Sequence, residues 1–286
     1  MIVGENMKLT KKIVFILFSI VLINIFICIK QDQKFKYLDT KQMKIYNLYK
    51  DDLVPSLNSK NIQESADMKI MSFNIHKGRN EKNKYTLDST IKLIKENNAD
   101  IVCLQEVLGF QDAKIKKHLE NNSQFIVNQR DNLFSHGLAI YSKYPIVESN
   151  QILLTSNGEQ RGLLHVTFYI NNKYVNVINA HLAINTDERK VQIDEMMNYI
   201  NGLDGEVILV GDFNQTNLEL SKLVDVGKYH GYVNSKTFIP IDSRIDHIFI
   251  KKGGIYSSTY NIIESKLSDH YPITANIKYK PQLILD

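Results

Sequence analysis

Tryptophan is absent from this 286-residue chain, cysteine occurs twice and proline five times. Cys28 lies in an apolar run and Cys103 in another, so neither a disulfide framework nor a thiolate metal site can be assembled, and packing must hold the fold. A strong charge of one sign is also lacking. The formal net charge is +4, and the excess is spread through a Lys-rich N-terminal third, so charge alone does not announce a nucleic-acid binder. Internal repeats and low-complexity tracts are not found. What is present is 43% hydrophobic content in a chain long enough to bury a sizeable core, which excludes a disordered protein.

The N-terminus reads as a membrane-targeting signal. Lys8, Lys11 and Lys12 precede an apolar run from Ile13 to Ile29, interrupted by Ser19 and Asn24 and closed by Lys30. The run sits at the short end of the roughly 17–25 residues that cross a bilayer and is longer than an ordinary signal-peptide core. No small-x-small cleavage pattern follows, because the exit reads Phe26-Ile27-Cys28-Ile29-Lys30; Ile27 also stands where a lipoprotein site needs a small residue. The expectation is a basic tail over 1–12, a transmembrane signal anchor over 13–29, a polar stalk over 30–67 and a catalytic domain over 68–280. That places the protein at the cell membrane with the domain outside, or secreted if the segment is a cleaved signal peptide. Lys30, Lys34 and Lys36 after the run blunt the charge contrast that sets orientation.

From Met68 onward apolar strand-like runs alternate with helical patterns. Strands are expected over Lys69–Ile75, Ile101–Gln105, Gly137–Tyr141, Leu163–Ile170, Tyr174–Ala180, Val207–Val210, Ile245–Ile250 and Pro272–Ile277. Helices are expected over Leu87–Asn97, Asp112–Asn121 and Asp187–Asn201. Asn171-Asn172-Lys173 joins two runs as a hairpin would, so antiparallel pairing is expected and a doubly wound parallel sheet fits poorly. Two sheets packed face to face with helices outside fit better.

Polar residues collect where these strands end, which is where sites form in layered α/β proteins. Asn74 and Glu106 close the first two runs, an amide and a carboxylate suited to a hard cation. His181 closes another run. Asp212 and Asn214 end the next one, two residues apart and therefore on one side of the chain. Asp246 stands among apolar neighbours, a costly position for a carboxylate unless it is paired. Asp269 and His270 precede the last strand, and a buried Asp with a downstream His suggests a carboxylate-oriented imidazole.

Taken together, Ser72-Phe73-Asn74, Leu104-Gln105-Glu106, Asn179-Ala180-His181-Leu182, Gly211-Asp212-Phe213-Asn214, Arg244-Ile245-Asp246-His247 and Ser268-Asp269-His270 resemble the endonuclease/exonuclease/phosphatase family in content, order and rough spacing. The resemblance covers about Met68 to Tyr279. It implies a four-layered α/β sandwich, two mixed sheets face to face with helices outside, here preceded by the N-terminal hydrophobic helix. It also implies a metal-dependent phosphoric ester hydrolase using Mg²⁺, with Mn²⁺ as a substitute. By the same resemblance Asn74 and Glu106 are metal-site residues with Asp269 near the same cation, and Asp212 with Asn214 orients the attacking water. His181 would stabilise charge at phosphorus or protonate the leaving oxygen, and His270 is the histidine held by Asp246. Hydrolysis of a phosphate ester needs such a set: an in-line water, neutralised equatorial oxygens and a protonated leaving group.

Arg161 enters a strand and offers a guanidinium to a phosphate oxygen, with a surface ion pair as the alternative. His76 or Lys77, in Asn74-Ile75-His76-Lys77-Gly78, is a candidate for the substrate pocket. Arg189 and Gln192 are read as supports of the His181 loop. His118, His136, His165 and His230 lack motif context and are assigned ordinary roles. The substrate stays open, because one core set on this fold serves many phosphate esters. A nuclease or phosphodiesterase acting on nucleic acid leads, a lipid or small-molecule phosphoesterase follows, and a non-catalytic binding module is remote. From Met68 to Lys280 there are 25 Lys and Arg against 23 Asp and Glu, a modest balance for a strong DNA binder. The expected partners are the phosphoester substrate and, through the N-terminal helix, the membrane, with the protein itself a monomer.

Overall fold

The structure, a computed structural model, describes residues 68–119, 121–130 and 135–279. The apolar run over 13–29 and the stalk over 30–67 lie outside the described residues. Among the described residues, no helix is long and apolar enough to cross a membrane.

Among the described residues, twelve strands form two sheets. The first is built from β1 (Met68–Asn74), β2 (Ile101–Leu108), β3 (Asn122–Arg130), β4 (Ser135–Ser142), β11 (Ile255–Ile262) and β12 (Ile273–Tyr279), in the order β11-β12-β1-β2-β4-β3. The second contains β5 (Ile146–Leu153), β6 (Gly162–Ile170), β7 (Lys173–His181), β8 (Glu206–Asp212), β9 (Leu223–Asp225) and β10 (Asp246–Lys251), in the order β5-β6-β7-β8-β10-β9. Each sheet is mixed in the same way. Its central pair is parallel, β1 with β2 and β7 with β8, and every other pairing is antiparallel. Parallel neighbours need a crossover, and helices supply it: α1 (Leu87–Asn97) joins β1 to β2, and α3 (Thr186–Asn201) joins β7 to β8. The helix α2 (Gly109–Leu119) follows β2, and a single turn, α4 (Val226–Tyr229), follows β9.

Strand alternation sorts the side chains into layers. Met68, Ile70, Ile101 and Cys103 of the first sheet share one buried cluster with Val177, Ile208, Val210 and Ile248 of the second, so this is the core between the sheets. The opposite face of the first sheet, with Met71, Phe73, Val102 and Leu104, is covered by Leu87, Ile91 and Ile94 of α1 and Ile115 of α2. The outer face of the second, with Leu163, Ile178, Val207 and Leu209, is covered by Met196 and Ile200 of α3. Four layers result, as the resemblance implied.

The eight strand expectations are met with small boundary shifts, and the expected second helix starts earlier, at Gly109 rather than Asp112. Four strands were not anticipated: β3, β5, β9 and β11, which are the four outermost strands of the two sheets. The hairpin expected between β6 and β7 is present, with Asn171 and Asn172 both at positive φ (52° and 59°), the conformation of a two-residue turn whose twist suits flanking strands.

Candidate active site

The site follows from where the inner face stops being apolar. Along β1 the inward positions run Met68, Ile70, Ser72, Asn74; along β8 they run Ile208, Val210, Asp212; along β7 they run Val175, Val177, Asn179, His181. At one end of the inter-sheet layer every inward position is therefore polar. Gln105 and Asn179 close the apolar part, with Gln105 Nε2 donating to Asn179 Oδ1 across the sheets at 2.7 Å and to Ser72 Oγ at 3.2 Å. Beyond them stand the carboxyl ends of both parallel pairs, at Asn74, Glu106, His181 and Asp212.

Two backbone irregularities place these groups. The β2–β4 register shifts between Leu104 and Val107, and Glu106 has φ +55°. This is a bulge: without the extra residue Val107 would follow Gln105 inward, whereas Val107 packs in the helix-side cluster and Glu106 turns to Asn74 instead. In β8 Gly211 has φ +145°, and a Cβ there would collide with the Ala180 carbonyl oxygen. Only glycine lets β8 lie this close to β7 with Asp212 opposite His181.

Asp212 Oδ2 is the hub. Asn74 Nδ2 donates to it at 3.1 Å, His181 Nε2 stands at 3.5 Å and His270 Nε2 at 3.6 Å. Its other oxygen accepts from the Asn214 backbone N–H at 2.9 Å, while Asn214 Nδ2 donates to the Leu182 carbonyl. Asp246 Oδ2 lies 2.9 Å from His270 Nδ1, the expected carboxylate-held imidazole. Ser268 Oγ accepts from the His270 N–H and lies 2.8 Å from the Asn74 carbonyl, which ties the last loop to β1.

Electrostatics divides the two imidazoles. Burial alone would lower the His270 pKa, but the Asp246 and Asp212 carboxylates and the Asp246 hydrogen bond outweigh it and push the group up to about 10. Burial and the neighbouring Arg161 guanidinium hold His181 well below its usual value. His270 is thus an imidazolium at neutral pH and His181 a neutral ring, so the His181–Asp212 contact is not an ion pair. Burial, helped by the Asp246 charge, raises Asp212 to about 7, against the pull of His270 and the hydrogen bonds from Asn214 and Asn74.

The structure brings Asn74, Glu106, His181, Asp212, Asn214, Asp246 and His270 into one cluster. Asp269 sits one step aside, its Oδ1 3.4 Å from Nδ1 of His76 and 3.1 Å from Ser268 Oγ. His76 joins the rim through that contact and through its backbone N–H, which donates to Asn74 Oδ1. Arg161 is buried rather than on the surface, with Nη1 2.8 Å and 3.0 Å from the two ring nitrogens of His181. Arg189 and Gln192 do support the loops. Arg189 donates to the carbonyls of Ala183 and Ile184 and to Gln215 Oε1, and Gln192 Oε1 accepts from the Ala183 N–H.

One pair was missed. His136, assigned an ordinary role above, places Nε2 2.8 Å from Glu159 Oε1, and Glu159 stands 3.3 Å from Arg161. The signal available was the spacing Glu159-Gln160-Arg161, a carboxylate and a guanidinium two residues apart at a strand entry.

The donor set was tested for a divalent cation. Glu106 Oε1 lies 3.3 Å from the Asn74 amide nitrogen, which also reaches Asp212, and Asp246 Oδ1 is buried with no hydrogen-bond partner among the described residues. Such an oxygen-rich cluster fits a hard cation. Asp212, Asp246 and His270 have ligand-type atoms within 4.8 Å of one another. His270 Nδ1 is engaged by Asp246 and the ring is cationic, so that trio reads as an ion-pair relay and Glu106 as the better ligand. For Asn74 to offer its oxygen, the amide would turn over and release the His76 N–H.

The Endonuclease/Exonuclease/phosphatase family model matches residues 71–270. The uncharacterized protein YbhP of Escherichia coli (strain K12) is 29% identical, over 75% of this chain and 97% of its own. An endonuclease/exonuclease/phosphatase from Beutenbergia cavernae DSM 12333 superposes with a TM-score of 0.67 at 18% identity, over 74% of this chain and 72% of that one. D. rerio TDP2, solved with a single-strand DNA product, gives 0.62 at 19% identity, over 74% and 99%.

Proposed function

We propose that this chain, which belongs to the Endonuclease/Exonuclease/phosphatase family, is a divalent-metal-dependent hydrolase of phosphate diesters, with nucleic acid as the leading substrate class. The observation that carries the reading is the convergence of Asn74, His181 and His270 on one oxygen of Asp212. A carboxylate raised to about 7 is matched to general-base work near neutral pH. With Asn214 holding its other oxygen, Asp212 is aimed to take a proton from a water attacking phosphorus. The His270 imidazolium, held by Asp246, and Arg161 beside neutral His181 offer positive charge and N–H donors to phosphoryl oxygens as negative charge develops there. Glu106, with Asn74 and Asp269 close by, would hold Mg²⁺ or Mn²⁺, which supplies Lewis-acid neutralisation of a phosphoryl oxygen.

Nucleic acid leads because a relative of the same fold, D. rerio TDP2, was solved with a single-strand DNA product. The catalytic domain is proposed to act as a monomer, anchored by the 13–29 run and facing out of the cell; protease accessibility of the domain in intact cells tests that placement. The full-length chain should cleave bis-nitrophenyl phosphate and DNA with Mg²⁺ or Mn²⁺, lose both activities to chelator, and lose both in Asp212→Ala. Release from phospholipid or sugar phosphates without release from DNA would move the substrate class. Inertness on every arm would end the hydrolase reading.

A further inference from the structure

We propose that Glu159 is a positioning residue for this site: braced by His136, it holds the Arg161 guanidinium against His181 and so fixes the His181 imidazole in the tautomer that turns its hydrogen to Asp212. This rests on the reading that the Asp212 hub is the reacting centre.

The contacts form one chain of side chains. Glu159 Oε1 accepts from His136 Nε2 at 2.8 Å and stands 3.3 Å from Arg161 Nη1. Arg161 Nη1 stands 3.0 Å from Nδ1 and 2.8 Å from Nε2 of His181, and His181 Nε2 stands 3.5 Å from Asp212 Oδ2. A guanidinium only donates, so one ring nitrogen must be bare to accept from it. A carboxylate only accepts, and Nε2 is the ring nitrogen that faces one. Nη1 stands almost equally far from the two ring nitrogens and does not choose between them, so the carboxylate facing Nε2 decides: the hydrogen goes on Nε2 and the bare nitrogen is Nδ1. Nη1 has two hydrogens, one for Nδ1 and one for Glu159.

Glu159 is needed for this because the Arg161 guanidinium is buried with its charge. Such a group stays where it is only if an anion meets it. Without Glu159 the guanidinium would lose the carboxylate that stands 3.3 Å from it, and Arg161 moving to another anion would release His181. The loop is built to keep Glu159 in place. Leu154 N–H donates to the Arg161 carbonyl, Arg161 N–H to Ser156 Oγ, and the Gln160 side chain to the Leu154 carbonyl. His136 reaches Glu159 from the neighbouring sheet and holds its carboxyl below the usual range, so Glu159 remains an anion.

The test is ¹⁵N NMR of the histidine rings in the full-length chain, with the His181 signals identified by their loss in His181→Gln. The wild type is expected to show His181 as a single neutral tautomer with the bare nitrogen at Nδ1. Glu159→Ala should put the two tautomers in exchange and lower kcat by about tenfold, the usual scale for such supporting contacts, with KM little changed. Glu159→Gln keeps an accepting oxygen but removes the anion, so it should show the same exchange in milder form than Glu159→Ala. Identical His181 signals in wild type and Glu159→Ala overturn the proposal. That readout needs no turnover, so a wild type that hydrolyses nothing would overturn the hydrolase reading without touching this one.

Discussion

The Asp246 carboxylate lies 2.9 Å from Nδ1 of His270, and both groups are almost wholly buried. The pair sets a pH dependence whose sign follows from the shift. The folded His270 pKa is raised from 6.5 to about 10, so its contribution to stability is fully present below about 6.5 and is lost as pH rises through about 10. Urea midpoints should therefore fall across that window. In Asp246→Asn the decline should largely vanish while the midpoint near pH 6 drops, because the imidazolium loses its anion. Parallel pH profiles for wild type and variant would contradict the assignment.

Asp212 carries the opposite relation between stability and activity. Its carboxyl is raised from 3.8 to about 7, so folding is favoured with the proton on, and that contribution disappears as pH rises through about 7. Above about pH 7 the protein holds a buried charge at a cost. Asp212→Asn keeps the shape and removes the charge. In the metal-free protein it is expected to raise the urea midpoint at about pH 8 while lowering hydrolysis by at least 10²-fold, the low end for loss of a general base. A variant that is both active and no more stable would remove Asp212 as the base.

Gly211 predicts a backbone effect. A Cβ would meet the Ala180 carbonyl oxygen, and φ is +145°, so Gly211→Ala must push β8 away from β7. The strained backbone alone costs about 1–3 kcal/mol, and the ladder that sets Asp212 opposite His181 is disturbed as well. Denaturant unfolding should show at least that loss, and activity should fall further than stability alone explains.

Much of this was legible before the structure. Inner strands are buried on both faces and read as continuous apolar runs, as Val207–Val210 does, and the polar residues that end them are the site. The strands that escaped notice are the sheet edges. β5, Ile146–Leu153, is exposed or half-buried along its whole length, so its sequence alternates weakly and carries Glu148, Ser149 and Asn150. The matching pairing pattern of the two sheets leaves no repeat in the sequence, because it lies in hydrogen-bond order rather than in side chains. Glu106 could be chosen from its motif, yet the bulge that turns it inward could not, since a φ of +55° at a glutamate has no local signal. Glu159 and His136 were hidden because a strand of one sheet meets a loop that joins two strands of the other.

Arg189 joins the loops that follow His181 and Asn214, and its geometry makes a conservative substitution non-conservative. Nη1 donates to the Ala183 carbonyl at 2.9 Å and the Ile184 carbonyl at 2.6 Å, just past His181, while Nε donates to Gln215 Oε1 at 3.1 Å, just past Asn214. One planar fork thus spaces the His181 and Asp212 loops. A lysine carries the same charge at a single point and cannot serve both loops at once. Hydrogen bonds from a charged donor contribute about 1.5–3 kcal/mol each, so Arg189→Ala should cost several kcal/mol of stability. Arg189→Lys is expected to recover part of that stability, by satisfying the buried Ala183 carbonyl, but little of kcat, because the spacing between the loops is no longer fixed. Urea unfolding and kcat measured on the same two variants separate the outcomes: kcat restored by lysine in step with stability would show that Arg189 acts only by holding the fold together.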